Sequence, residues 1–312
     1  MESKPVLLQL CPFAADLEQR LTRRFEVHRW FEETDPAGWL ARYGSTVRAV
    51  ATGGHMGISN DLMAALPALG IVAINGVGFD KVDLDTARAR GVRVTTTPDV
   101  LTDDVADLAV GLIIAQFRAI PAGDAHVRQG AWPAGDRPLG RKVTGARFGI
   151  FGLGRIGLAI ARRLAPFGAI AYMDQVEKPE PYRFVPSLVD LARESDVLIL
   201  ASAANASTFN IVDAEVIEAL GPDGVLVNVA RGSLVDEEAL IAALTNGTIA
   251  GAALDVFARE PDVPERLRGC DRVVMTPHIA SGTRETRRNM ANIVVGNVEA
   301  FLDGGQLTGA LV

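Results

Sequence analysis

Three residues in the second half of the chain combine into a chemical kit. They are Arg231 in Asn228-Val229-Ala230-Arg231-Gly232, Glu260 in Leu254-Asp255-Val256-Phe257-Ala258-Arg259-Glu260-Pro261, and His278 in Pro277-His278-Ile279-Ala280-Ser281. A guanidinium grips a carboxylate and a neighbouring carbonyl oxygen with two prongs, which lysine does not match. A histidine gives and takes a proton near neutral pH, and a carboxylate beside it orients the ring and favours its charged form. Of the four histidines, His28, His55, His126 and His278, only His278 closes a predicted strand of the larger lobe. Singly, Arg231 reads as a surface charge, Glu260 as a helix-end carboxylate and His278 as a loop residue. Gathered at one sheet edge, they supply an anchor for an anion and a general acid/base for reducing a carbonyl, provided a hydride source is held beside them.

The sequence offers a seat for that source. The predicted strand Arg147–Phe151 runs into Gly152-Leu153-Gly154-Arg155-Ile156-Gly157 and then an apolar helix from Leu158 to Phe167. In this context Gly152 permits the tight turn, Gly154 lets the backbone approach a pyrophosphate, and Gly157 lets the helix pack close to the strand. The helix N-terminus contributes partial positive charge. The next predicted strand, Ala169–Met173, ends in Asp174, where a carboxylate accepts hydrogen bonds from ribose hydroxyls and repels a 2′-phosphate. Gln175 follows where an arginine would point to NADP, and Lys178 is the nearby cation. The expected cofactor is NAD, with NADP the second choice.

These segments need a scaffold that brings strand ends together. Val-, Ile- and Ala-rich runs at Val6–Leu10, Val47–Thr52, Ile71–Asn75 and Val92–Thr96 alternate with helical spacings such as Asp83–Arg90. A second series comprises Arg147–Phe151, Ala169–Met173, Val197–Ala201, Val225–Val229, Ile249–Leu254 and Val273–Thr276. Alternation of this kind predicts an α/β fold with two Rossmann-like or flavodoxin-like lobes, each a parallel sheet covered on both faces. Between the series, Pro98–Ile120 reads as a long connecting helix capped by Asp99, and Gln129–Gly140 as a Gly- and Pro-rich loop. A final helix, Thr283–Leu302, returns the chain and makes the first lobe discontinuous. The expected division is residues 1–98 with 286–312 for substrate and 99–285 for the dinucleotide.

Composition narrows the function classes. At 312 residues with 48% hydrophobic content, the chain buries a core without disulfides, and its two cysteines, Cys11 and Cys270, lack metal-ligand neighbours, so no metal is expected. A net charge of −7 argues against nucleic-acid and anionic-membrane partners. No run approaches a membrane span, and the start, acidic and broken by Pro12, does not read as a signal peptide, so a cytoplasmic protein is expected.

With these motifs in order, the chain resembles the D-isomer-specific 2-hydroxyacid dehydrogenase family over nearly its whole length, and within it most resembles the glyoxylate/hydroxypyruvate reductases. The likeness rests on the glycine turn, the Arg231, Asp255–Pro261 and Pro277–Ser281 segments, and on Val100-Leu101-Thr102-Asp103, Ala106-Asp107-Leu108 and Arg128-Gln129-Gly130-Ala131-Trp132. The resemblance implies that Arg231 anchors a small 2-keto or 2-hydroxy acid, that His278 is the acid/base and that Glu260 pairs with it. It further implies cofactor contacts from Thr102, Ala203, Val229, Ala230 and Asp255, and carboxylate binding by backbone amides at Gly76, Val77 and Gly78 in Asn75-Gly76-Val77-Gly78-Phe79-Asp80. By the same likeness Trp132 reaches the substrate pocket of a partner subunit in a homodimer. Two departures stand out: Asp174-Gln175 replaces the Ser-Arg pair of NADP-using members, and Ala201-Ser202-Ala203-Ala204-Asn205 lacks the usual proline under the adenine.

Two other readings share these motifs. One is an NADH-sensing regulatory protein on the same fold; such proteins carry recruitment tails, and ten residues follow Leu302. The other is an enzyme acting on formate, phosphite or a phosphorylated acid. For the last, Lys81 is the one basic residue beside Gly76–Gly78.

Overall fold

A computed structural model describes residues 4–312. The chain forms two units, one built from the described residues up to Leu101 together with Thr283–Val312, the other from Thr102–Gly282.

The first unit is a five-stranded parallel sheet of β1 (Val6–Gln9), β2 (Glu26–Arg29), β3 (Val47–Gly53), β4 (Ile71–Asn75) and β5 (Arg93–Thr95), in the order β2-β1-β3-β4-β5. This is the flavodoxin-like order. Successive strand residues point to opposite faces, and both faces are buried here. Leu8, Val50, Val72 and Val94 join Trp39 and Met63 on one side. Leu7, Ala49, Ile71 and Ala73 face Leu17, Leu21, Val294 and Val298 on the other. Val294 and Val298 lie on the 20-residue helix Arg284–Asp303, whose N-cap Thr283 accepts a hydrogen bond from the Thr286 amide. The last residues also rejoin the sheet: Leu311 donates to the Val94 carbonyl, and Thr95 bridges Ala310. The first lobe is thus discontinuous, as the return helix requires.

The second unit carries seven parallel strands, β6 (Phe148–Phe151), β7 (Ile170–Met173), β8 (Arg183–Phe184), β9 (Val197–Leu200), β10 (Val225–Asn228), β11 (Gly251–Leu254) and β12 (Val273–Met275). Their order, β12-β11-β10-β9-β6-β7-β8, is the Rossmann arrangement extended by one strand. The direction of winding reverses between β6 and β9, so the edge outside their carboxyl ends is the place for a ligand.

Two strands escape the sequence pattern. β2 is an edge strand whose residues are all exposed or half-buried, and β8 is a two-residue edge; neither has the continuous apolar run that marks a buried strand. The expected connector Pro98–Ile120 holds the 16-residue helix Thr102–Phe117, and a second helix, Ile120–Arg128, follows it at a bend of 62°. The break falls at Ala119, left-handed at φ 48°, just ahead of Pro121, which cannot extend the preceding helix. Asp99, left-handed at φ 69°, lies in the turn that leads into the helix Thr102–Phe117. Among the described residues, no single helix is long and apolar enough to cross a membrane, and no group of three or more His, Cys, Asp or Glu is placed to hold a metal.

Candidate active site

The glycine turn follows β6 directly and opens the helix Arg155–Leu164. Gly152 has φ 94°, which side chains rarely adopt, and a Cβ there would lie 2.6 Å from the Ser202 backbone after β9. Gly157 sits in the first helical turn so close to the Gly152 carbonyl that only hydrogen fits between them. Around Gly154, by contrast, a Cβ would meet no atom within 4 Å. The helix N-terminus, with Arg155 and Ile156 as its first residues, therefore opens onto free space at Gly154, where a phosphate could approach the backbone. Asp174, at the end of β7, accepts hydrogen bonds from the amides of Leu153 (3.0 Å) and Gln175 (2.7 Å), and Lys178 Nζ stands 3.7 Å from Oδ2. The carboxylate is thereby fixed against the glycine turn. These features fit a nicotinamide dinucleotide.

Three further strand ends shape the same sheet edge. After β10 the buried Asn228 side chain accepts from the Ala230 amide (3.0 Å) and donates to the Arg231 carbonyl (2.8 Å). In this small loop Val229 is buried and Arg231 half-buried, and the Arg231 guanidinium donates to the Ala230 carbonyl at 2.7 Å. Gly232 then packs so tightly on the Phe257 backbone that a Cβ would overlap it, which joins the segments carrying Arg231 and Glu260.

After β11, Asp255 is fully buried. Its carboxylate accepts from the Thr276 hydroxyl (2.6 Å) and from the amides of Ile279 and Ala280 (both 2.9 Å). The Asp255 carbonyl accepts from the His278 amide at 2.8 Å. One residue thus organises the whole segment that follows β12, including His278, whose left-handed φ of 52° is rare outside glycine. The resemblance gives Asp255 a contact with the nicotinamide amide; the structure gives its carboxylate these three partners.

Glu260 meets His278 here. Glu260 Oε2 lies 2.6 Å from His278 Nδ1, while Oε1 accepts from the Phe257 amide at 3.0 Å. Burial by itself pushes the Glu260 carboxyl up, but the His278 hydrogen bond and charge, the Phe257 amide and the Arg231 guanidinium outweigh it and hold the group below its ordinary value. Arg231, Glu260 and His278 therefore share one electrostatic neighbourhood.

The remaining residues singled out by sequence sit on other segments. Thr102 begins the helix Thr102–Phe117, and Ala203 lies in the loop after β9, where its carbonyl accepts from the Thr208 hydroxyl. Gly76, Val77 and Gly78 form a half-buried turn after β4 of the first unit. Trp132 is 62% exposed in a short turn, its indole N–H donating to Asp136. Asn228 was not singled out by sequence, although its place at the end of an apolar strand, three residues before an arginine, is the signal of a side chain that shapes the turn.

A glycine turn at the reversal point of a Rossmann sheet, with an acid/base pair and a cation at the same edge, is the layout of a nicotinamide-dependent oxidoreductase. The model of the D-isomer specific 2-hydroxyacid dehydrogenase NAD binding domain matches residues 110–280. The chain is 49% identical to hydroxyphenylpyruvate reductase of Plectranthus scutellarioides, over 96% of this chain and 97% of that one. It is 47% identical to glyoxylate/hydroxypyruvate reductase A of Arabidopsis thaliana, over 98% of each. Among solved structures it is similar to the NADPH-dependent glyoxylate/hydroxypyruvate reductase of Sinorhizobium meliloti in complex with NADP and malonate. That similarity has a TM-score of 0.93 and 43% identity, and it covers 99% of this chain and 97% of that one. The chain belongs to the D-isomer specific 2-hydroxyacid dehydrogenase family.

Proposed function

We propose that this protein reduces a small 2-keto acid, glyoxylate or hydroxypyruvate, to the 2-hydroxy acid, with NADH preferred. The observation that carries this reading is the His278–Glu260 hydrogen bond of 2.6 Å, formed where the Arg231 charge also acts. Bound NADH supplies the hydride to C2. Arg231 holds the substrate through its carboxylate and keto oxygen, and the turn Gly76–Gly78 offers backbone amides to the carboxylate. Glu260 engages Nδ1 of His278, so Nε2 is the nitrogen assigned to give the proton to the keto oxygen, and to take it back in the reverse direction. Asp255 and Asn228 act as positioning residues for His278 and Arg231.

The preference for NADH rests on Asp174, whose carboxylate is fixed at the glycine turn where a 2′-phosphate would bring more negative charge. The relative from Sinorhizobium meliloti is NADPH-dependent, and the preference proposed here is the opposite one. A homodimer is supported by the exposed apolar residues Ile120, Val127, Trp132 and Leu139, which cluster in one stretch of chain. Trp132 is the residue assigned to reach a partner subunit.

Initial rates with glyoxylate, hydroxypyruvate, pyruvate and a bulkier 2-keto acid, each with NADH and with NADPH, test the reading. Turnover of the two small acids with NADH ahead is the expected result. Absence of turnover with all four would overturn it, and faster rates with NADPH would overturn the role of Asp174.

A further inference from the structure

We infer that His55 is a specificity-determining residue that hydrogen-bonds the group beyond the keto carbon of the substrate. It thereby favours 2-keto acids with a hydroxyl at C3 over those with hydrogen there. The inference rests on the reading that Gly76–Gly78 takes the substrate's carboxylate.

In the first unit's sheet, the winding reverses between β1 and β3, so the edge outside those two carboxyl ends is where this topology receives a ligand. β3 leaves the sheet there through Gly53-Gly54-His55-Met56-Gly57. The loop is held firmly. The amides of Met56 and Gly57 both donate to the Gly53 carbonyl (3.1 and 2.9 Å), the Thr52 hydroxyl donates to the Gly57 carbonyl (2.7 Å), and the Ile58 amide donates to Lys81 (3.2 Å). Gly57 has φ 61° and lies so close to Lys81 that no side chain fits.

The same loop abuts the substrate turn. Gly53 is in register with Asn75, the residue before Gly76. A Cβ on Gly54 would come within 2.8 Å of the Gly78 carbonyl, and one on Gly76 within 3.6 Å of the Gly54 nitrogen. Glycine at 54 therefore lets the two backbones lie side by side, and the next residue is His55. Its ring folds back over Gly53, with Cε1 2.9 Å from where a Cβ there would sit, and the residue is exposed while 52–54 and 57–58 are buried. Of the loop's two side chains, Met56 cannot donate a hydrogen bond, whereas the imidazole donates or accepts. Cys11, beyond Gly53, contributes no ionised group, since burial pushes its thiol up to about 11. The polar chemistry that this loop brings to the turn is that of His55.

Hydroxypyruvate and glyoxylate separate this role from the rest of the reaction, because glyoxylate has no carbon beyond the keto carbon. The readout is the ratio of kcat/KM for hydroxypyruvate to kcat/KM for glyoxylate, in the wild type, His55→Leu and His55→Gln. A substrate hydroxyl that loses its partner costs about tenfold. The ratio is expected to fall about tenfold in His55→Leu, chiefly through KM for hydroxypyruvate, and to stay within about threefold in His55→Gln, which keeps a donor and an acceptor. A ratio in His55→Leu within twofold of wild type, or an equal fall in both variants, would overturn the assignment while wild-type turnover leaves the proposed function standing. Absence of wild-type turnover with both acids would instead overturn the functional reading, and this inference with it.

Discussion

His278 Nδ1 and Glu260 Oε2 stand 2.6 Å apart, within the range of a charge-assisted hydrogen bond. In the proposed mechanism this contact leaves Nε2 to face the substrate. His278→Gln is expected to lower kcat by ~10²–10⁴-fold, the usual scale of a positioned general acid. Glu260→Gln keeps the shape but not the charge and is expected to lower kcat by about 10–100-fold, as loss of an orienting partner does. NADH affinity, followed by quenching of tryptophan fluorescence, should stay within about threefold in both, since neither residue lies on the glycine turn. A kcat unchanged in His278→Gln removes the proton-transfer role.

The lowered Glu260 carboxyl also ties stability to pH. A carboxyl held below its unfolded value stabilises the fold above that value and loses the contribution as pH falls through the folded one. Against an ordinary value of 4.5, the urea-midpoint advantage of wild type over Glu260→Gln is expected to hold between about pH 6 and 5 and to narrow below 4.5. An advantage that grows on acidification contradicts this sign.

Asp174 is expected to set the nucleotide preference. In Asp174→Ser the repulsion of a 2′-phosphate is gone and Lys178, now 3.7 Å from Asp174 Oδ2, is released from that partner. The ratio of kcat/KM for NADPH to that for NADH should rise by roughly 10–100-fold, the scale of one or two charge-assisted hydrogen bonds. Direct titration of both nucleotides without substrate should shift in the same sense; a ratio that does not move places the discrimination elsewhere.

Asp255→Ala leaves the Thr276 hydroxyl and the amides of Ile279 and Ala280 without their buried acceptor. Each such donor costs about 1–3 kcal/mol, and with partial relaxation the loss of stability should be about 3–5 kcal/mol by urea unfolding. Thr276→Val removes only one of the three bonds and should cost about 1 kcal/mol. Equal stability of Asp255→Ala and wild type would show that the segment holds its shape without the carboxylate.

Much of this scaffold is legible because parallel strands buried on both faces leave continuous apolar runs, as in Val225–Asn228 and Ile71–Asn75. The glycine turn is legible too, since a positive φ at 152 and the contact at 157 each demand glycine. Edge strands fail this test: Glu26–Arg29 is stabilised by one neighbour and has no apolar signature. The end of the connecting helix is marked by Pro121, but the left-handed backbone at Ala119 is not, because an alanine carries no local sign of it. Within the site, sequence identifies Asp255 but not its partners, which lie more than twenty residues onward and meet it only through the pairing of β11 with β12. The nearness of His55 to Gly76–Gly78 is hidden likewise, since it follows from the register of β3 on β4.

The return of the chain through Arg284–Asp303 has a consequence for the order of events during synthesis. The face of the first sheet formed by Leu7, Ala49, Ile71 and Ala73 is closed partly by Val294, Val295 and Val298. On the ribosome these residues emerge only after the roughly 180 residues of Thr102–Gly282. At about 5–20 residues per second, that interval is on the order of ten to forty seconds. The nascent first sheet spends this time with that face covered by Leu17, Leu21 and Phe25 but not by the return helix, so the segment made first waits longest for its full packing.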